Sequence, residues 1–74
     1  MKITLDRRAD AAYIYLRDIP PGDVESTYGC DPSEIYGHMI HLDFDSSGIL
    51  IGIEVLDASK ALPKELLDQA EIIG

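Results

Sequence analysis

The sequence has no tryptophan, a single phenylalanine and a single cysteine. Cys30 alone excludes an intramolecular disulfide and cannot by itself complete a cysteine-rich zinc site, so a reducing compartment is the natural expectation. Cations are scarce: Lys and Arg number 6 against 14 Asp and Glu, a formal charge of −8. Such a balance opposes a polyphosphate backbone, which excludes nucleic acid as the expected partner. The longest apolar run, residues 49–53 with Gly52 inside it, is far too short to cross a bilayer, and the opening MKITLDRRAD lacks the apolar segment of a signal peptide. A cytoplasmic protein with no membrane partner is expected. No phosphate-cradling glycine loop occurs, and no serine stands in a nucleophile-elbow pattern. No cofactor is implied.

What is present is 74 residues, read as one domain spanning 1–74. A chain of this size buries only about 60% of its unfolded surface, which leaves stability marginal and makes a homodimer the simplest remedy. The acidity would attract a basic protein or a cation, and it also keeps a small protein soluble.

The stretch His41-Leu-Asp-Phe-Asp-Ser-Ser-Gly-Ile-Leu-Ile-Gly-Ile-Glu-Val-Leu56 organises the chain. Asp43, Asp45, Ser47, Gly48 and Glu54 follow the spacing of a calcium loop. That loop requires a helix on each side, whereas Ile49, Ile51, Ile53 and Val55 are β-branched and favour strand. An oxygen ligand is also missing at Ile51. The competing reading is a β-hairpin closed by a two-residue turn, Ser47-Gly48, with Gly48 at φ > 0. Its register sets Phe44 opposite Ile51, Leu42 opposite Ile53 and Ile40 opposite Val55 on one apolar face. Asp45 then faces Leu50, Asp43 faces Gly52 and His41 faces Glu54 on the other.

Residues 2–5 and 11–17 read as a first hairpin around a loop at 7–10. Ile3 and Leu5 face Ile14 and Ala12, while Tyr13 covers Thr4 and Tyr15 covers Lys2. Residues 18–37 are broken by Pro20-Pro21-Gly22, Gly29 and Gly37. Within them, 24–28 suggests a short edge strand, and Asp31-Pro32-Ser33-Glu34 has the grammar of a helix start. Pro63 opens a helix over 63–70, whose stripe is Leu62, Leu66, Leu67 and Ala70, after a short turn capped by Asp57 or Ser59. The core expected from these patterns is Ile14, Leu16, Leu42, Phe44, Ile51, Ile53 and Val55 beneath Leu66 and Leu67.

Asp6, Ala9, Asp10, Ala11, Tyr13 and Ile14, followed by Leu42, Asp43, Asp45, Gly48, Gly52, Ile53, Glu54, Leu56, Ala58 and Ser59, resemble a family of small, mostly bacterial proteins of a domain of unknown function. Its members share the pattern L-D-x-D-x-x-G-x-x-x-G-I-E-x-L-x-A-S. Leu5 stands where the family usually has an aromatic residue, and residues 29–37 are longer than is common there. The resemblance implies the hairpin and a cytoplasmic prokaryotic protein; it implies no activity and no catalytic residues.

The fold expected is α+β, an antiparallel, meander-like sheet of four to five strands with one C-terminal helix packed on one face. His41, Asp43 and Glu54 share a sheet face and are the candidate ligands of a divalent metal, or an acid and base pair. The bland alternative is a cross-strand ion pair that holds register. Alternation sends His38 to the opposite face. Tyr13, Tyr15, Met39, Leu50 and Leu56 form the candidate interaction surface, for a second copy or for a basic protein partner held in an antitoxin-like manner. A non-enzymatic interaction module is the expected function; the alternative is a metal-binding protein or metal-dependent enzyme built on His41, Asp43 and Glu54.

Overall fold

The computed structural model describes residues 1–30 and 39–74. The helix start at Asp31 and the placement of His38 lie outside the described residues. Among the described residues six strands occur in chain order: β1 (Lys2–Asp6), β2 (Ala11–Tyr15), β3 (Ser26–Cys30), β4 (Ile40–Phe44), β5 (Leu50–Leu56) and β6 (Glu71–Ile72). Two short helices, α1 (Ala58–Ala61) and α2 (Lys64–Asp68), precede β6.

The first hairpin has the register its side-chain alternation requires, with Ile3 opposite Ile14, Leu5 opposite Ala12, Thr4 opposite Tyr13 and Lys2 opposite Tyr15. Its loop closes on Asp6, whose Oδ1 accepts the amides of Arg8 and Ala9 at 3.0 and 3.2 Å. It ends at Asp10, which takes a left-handed conformation, φ 51°. Aspartate tolerates this better than most residues because its short side chain can bond locally.

The second hairpin is also present, which removes the calcium reading, because strands rather than helices flank the loop. Ile40, His41, Leu42 and Asp43 pair with Val55, Glu54, Ile53 and Gly52 as expected. The tip differs. Asp45 N–H donates to Ile49 O at 2.9 Å and Gly48 N–H to Asp45 O at 3.0 Å, so the loop is Ser46-Ser47-Gly48, one residue longer than a two-residue turn. Gly48 has φ 79°, the left-handed position that closes a three-residue hairpin loop. A bulge opposite Asp43 and Phe44 absorbs the extra residue, so Phe44 pairs with Leu50 rather than Ile51. By alternation Leu50 then shares the side of Phe44, not that of Asp43.

Strand order is β3-β4-β5-β2-β1-β6. The fold is α+β as expected, but three features correct the expectation. Among the described residues the sheet has six strands, it is mixed because β6 runs parallel to β1, and two short C-terminal helices replace one. The meander is also interrupted, since β2 lies beside β5 while β3 takes the far edge beside β4. Between them, residues 16–25 cross the ends of β5 and β4. Arg17 pins this crossing: its guanidinium donates to Asp18 O at 2.7 Å, to Asp23 Oδ2 at 2.9 Å and to Asp45 Oδ2 at 3.1 Å at the hairpin tip. β5 occupies the interior because it carries the apolar, β-branched run, and a central strand is covered on both flanks.

The core is displaced from the expected one. Ile3, Leu5, Ala12, Ile51, Val55 and Ala58 are buried. The helical residues Leu62, Leu67 and Ala70 pack on Leu5, Ala12 and Ala58. Ile14, Leu42, Phe44 and Ile53 are only half-buried, Leu16 is 43% exposed, and Leu66 stands outside the cluster. The reason is reach. The chain reverses at Asp57, φ 55°, and α1 starts at once, with Ala58 N–H donating to Asp10 O at 2.9 Å. Each helix is shorter than roughly 8 Å at 1.5 Å per residue, so both stay over the β1–β2 end.

Asp57 contributes no side-chain cap to α1. Asp10 supplies it from 49 residues away: its Oδ1 accepts Ser59 N–H at 3.0 Å and its Oδ2 accepts the Ser59 hydroxyl at 2.7 Å. No helix among the described residues is long and apolar enough to cross a membrane.

Candidate functional site

Strand alternation collects the polar side chains on the face away from the helices. β2 presents Tyr13 and Tyr15, β5 presents Gly52, Glu54 and Leu56, and β4 presents His41 and Asp43, while Thr27 of β3 and Lys2 and Thr4 of β1 complete the rows. Tyr13 lies diagonal to Gly52 and its ring occupies the space a side chain there would need; a Cβ at Gly52 would collide with the phenol. The ring therefore spans β5, and its hydroxyl donates to Asp43 Oδ2 at 2.5 Å. From the other side Thr27 donates its hydroxyl to Asp43 Oδ1 at 2.6 Å. One carboxylate thus ties β2, β4 and β3 across the surface. Partial burial, then the hydrogen bond to Asp43 and the negative charge there, push the Tyr13 phenol far above its ordinary pKa.

His41 Nδ1 lies 2.8 Å from Glu54 Oε1, the cross-strand partner its register dictated. Asp43 is bonded instead to the hydroxyls of Tyr13 and Thr27. Among the described residues no three His, Cys, Asp or Glu side chains gather where a metal ion could bind them. His41, Asp43 and Glu54 share a face as the sequence implied, but as two separate bonded sets.

The candidate interaction residues separate as well. Tyr13 and Tyr15 stand together, ring centroids 4.7 Å apart and tilted by 54°. They line one groove with Thr4, Ala11, Glu54 and Leu56. Lys2 Nζ sits 5.0 Å from the Tyr15 centroid. Met39 is half-buried, its carbonyl accepting the Leu56 amide at 2.9 Å. Leu50 is removed from this face by the bulge. Thr27 and the Tyr13 bridge went unread in the sequence, since both depend on strand order, and only the paired Gly52 in a β-branched run hinted at an overlying ring.

Residues 2–59 match the family described as "Protein of unknown function (DUF2283)". The chain belongs to that family. No curated protein and no solved structure matches it. The DUF2283 span runs from β1 into α1, so it contains the Tyr13, Gly52 and Asp43 bridge and the Asp10 and Ser59 cap, while α2 and β6 lie beyond it. Asp10, Tyr13, Asp43, Gly52 and Ser59, quoted above for the resemblance, thus join distant parts of the DUF2283 region.

Proposed function

We propose that the protein is a non-enzymatic interaction module that holds a basic segment of a partner protein on the polar face of its sheet. The observation that carries this reading is the groove in which Tyr13 and Tyr15 lie beside Glu54. An aromatic face next to a carboxylate suits a Lys or Arg side chain, through cation–π attraction and an ion pair together. Lys2 already occupies such a position over Tyr15, and a partner's cation would compete with it. The formal charge of −8 favours encounter with a basic chain over long range. A subunit that neutralises a basic partner in an antitoxin-like manner, inside a bacterial cytoplasm, is the setting this chemistry suits.

The test uses a labelled oligoarginine peptide and fluorescence anisotropy. Wild-type binding should weaken at least tenfold in Tyr15→Ala and in Glu54→Gln, whereas Glu65→Gln, at an exposed position of α2, should leave it unchanged. Equal affinities for all four proteins would reduce the binding to bulk charge and overturn the assignment of the groove.

A further inference from the structure

The two edges of the sheet are unlike. β6 is only two residues long, a short edge of the kind that resists further pairing. β3 has five residues, Ser26-Thr-Tyr-Gly-Cys30, every one exposed, and among the described residues it pairs on one side only, with β4. It carries no charge, no proline and no bulge, the devices by which edge strands are normally blunted. Tyr28 at its centre is 63% exposed. In a chain of formal charge −8, an uncharged edge strand is the place where another copy meets the least repulsion.

We infer that β3 pairs antiparallel with β3 of a second copy, joining two sheets edge to edge in a homodimer. The register follows from the backbone. Along β3 the N–H and C=O groups of alternate residues point to β4, and those of the remaining residues point outward. A two-fold pairing must set outward-pointing residues opposite one another, so the axis passes through a residue and not between two. Only an axis at Tyr28 uses all five positions, which sets Ser26 opposite Cys30 of the second copy and Thr27 opposite Gly29. The two Tyr28 side chains then meet at the axis on the side of Leu42. Thr27 stays bonded to Asp43 on the polar face. The groove at Tyr13 and Tyr15 lies on β2 and β5, away from this edge, so the dimer stands or falls independently of the basic-partner reading.

Register-specific crosslinking tests the proposal on the full chain. In the wild type the two Cys30 residues sit at opposite ends of the paired strands, roughly 13 Å apart along the strand direction, and should not form a disulfide under mild oxidation. Ser26→Cys combined with Cys30→Ser should not either. A mixture of the two proteins should crosslink to a heterodimer, because residue 26 of one meets residue 30 of the other. Sedimentation equilibrium should show a wild-type dimer that tightens as salt screens the two negative charges. Tyr28→Lys, at an exposed position, should be a folded monomer whose melting temperature, unlike that of the wild type, does not rise with protein concentration. A wild-type monomer throughout the concentration range, a dimer unaltered by Tyr28→Lys, or crosslinking of wild type alone at least as fast as the mixture would overturn it.

Discussion

Tyr13 and Asp43 are bonded at 2.5 Å across an intervening strand, and the ring reaches over β5 because Gly52 has no side chain. A glycine in a central strand is ordinarily a weakness, from lost packing and added backbone freedom. Here the phenol fills the space and adds a hydrogen bond to a carboxylate. Gly52→Ala should therefore cost about 1–3 kcal/mol through overpacking, although alanine has the better strand and helix entropy. Tyr13→Phe should cost about 1–2 kcal/mol by removing a donor from a half-buried carboxylate. Urea melts of both single variants and the double would check this. The double should be less destabilised than the sum, since the two residues occupy one contact.

Ile51 rather than Phe44 is the side chain whose removal should matter most. Ile51 has 0% exposure, and Ile51→Ala should cost roughly 2–5 kcal/mol, comparable to the whole stability of so small a domain. Phe44→Ala should cost less, because the ring is only half-buried. Thermal unfolding followed by circular dichroism would rank them, and the opposite order would remove this account of the core.

Asp10 should behave as the cap of a helix it does not belong to. Asp10→Ala removes acceptors for the Ser59 amide and hydroxyl, and a cap loss of about 1 kcal/mol is expected. Ser59→Ala should cost less, since the amide bond remains. Amide exchange at Ser59 should accelerate in Asp10→Ala and stay slow in Ser59→Ala.

Gly48→Val should destabilise by about 1–2 kcal/mol, the cost of holding a side chain in the left-handed region, while Ser46→Ala should be nearly silent. Urea midpoints of these two variants measure the difference directly.

Two groups tie stability to pH in opposite directions. The Tyr13 phenol is raised, first by burial and then by Asp43. Its stabilisation is fully present below the ordinary phenol pKa near 10 and is lost as pH climbs toward the folded value. In an alkaline absorbance titration Tyr13 should ionise above the ordinary phenol value, and closer to it in Asp43→Asn. Asp45 is lowered, first by the Ile49 amide and then by Arg17 and the Ser47 amide. Its contribution is present above the ordinary carboxyl pKa near 3.9 and is lost as pH falls through the folded value. Carboxyl NMR titration should place it below the ordinary value, with a smaller displacement in Arg17→Ala.

Side-chain alternation by itself determined the pairing within each hairpin, because a slip of one residue would expose every apolar side chain of a strand. Hence the partners of Ile3, Leu5, His41 and Leu42 were legible from sequence alone, as were the left-handed Gly48, the edge position of the third strand and the helix start at Pro63. The loop Ser46-Ser47-Gly48 and its compensating bulge were not. Two irregularities that cancel leave the inner register unchanged, and so leave no mark on the apolar pattern. Strand order, the parallel β6, the Asp10 cap on α1 and the Tyr13 bridge to Asp43 were decided only by the tertiary structure. Each joins residues far apart in the chain, where local periodicity carries no information and packing of the whole sheet selects the neighbour. The division of His41, Asp43 and Glu54 into two bonded sets has the same origin. A shared face follows from alternation, but which oxygen meets which donor follows from the strand that arrives alongside.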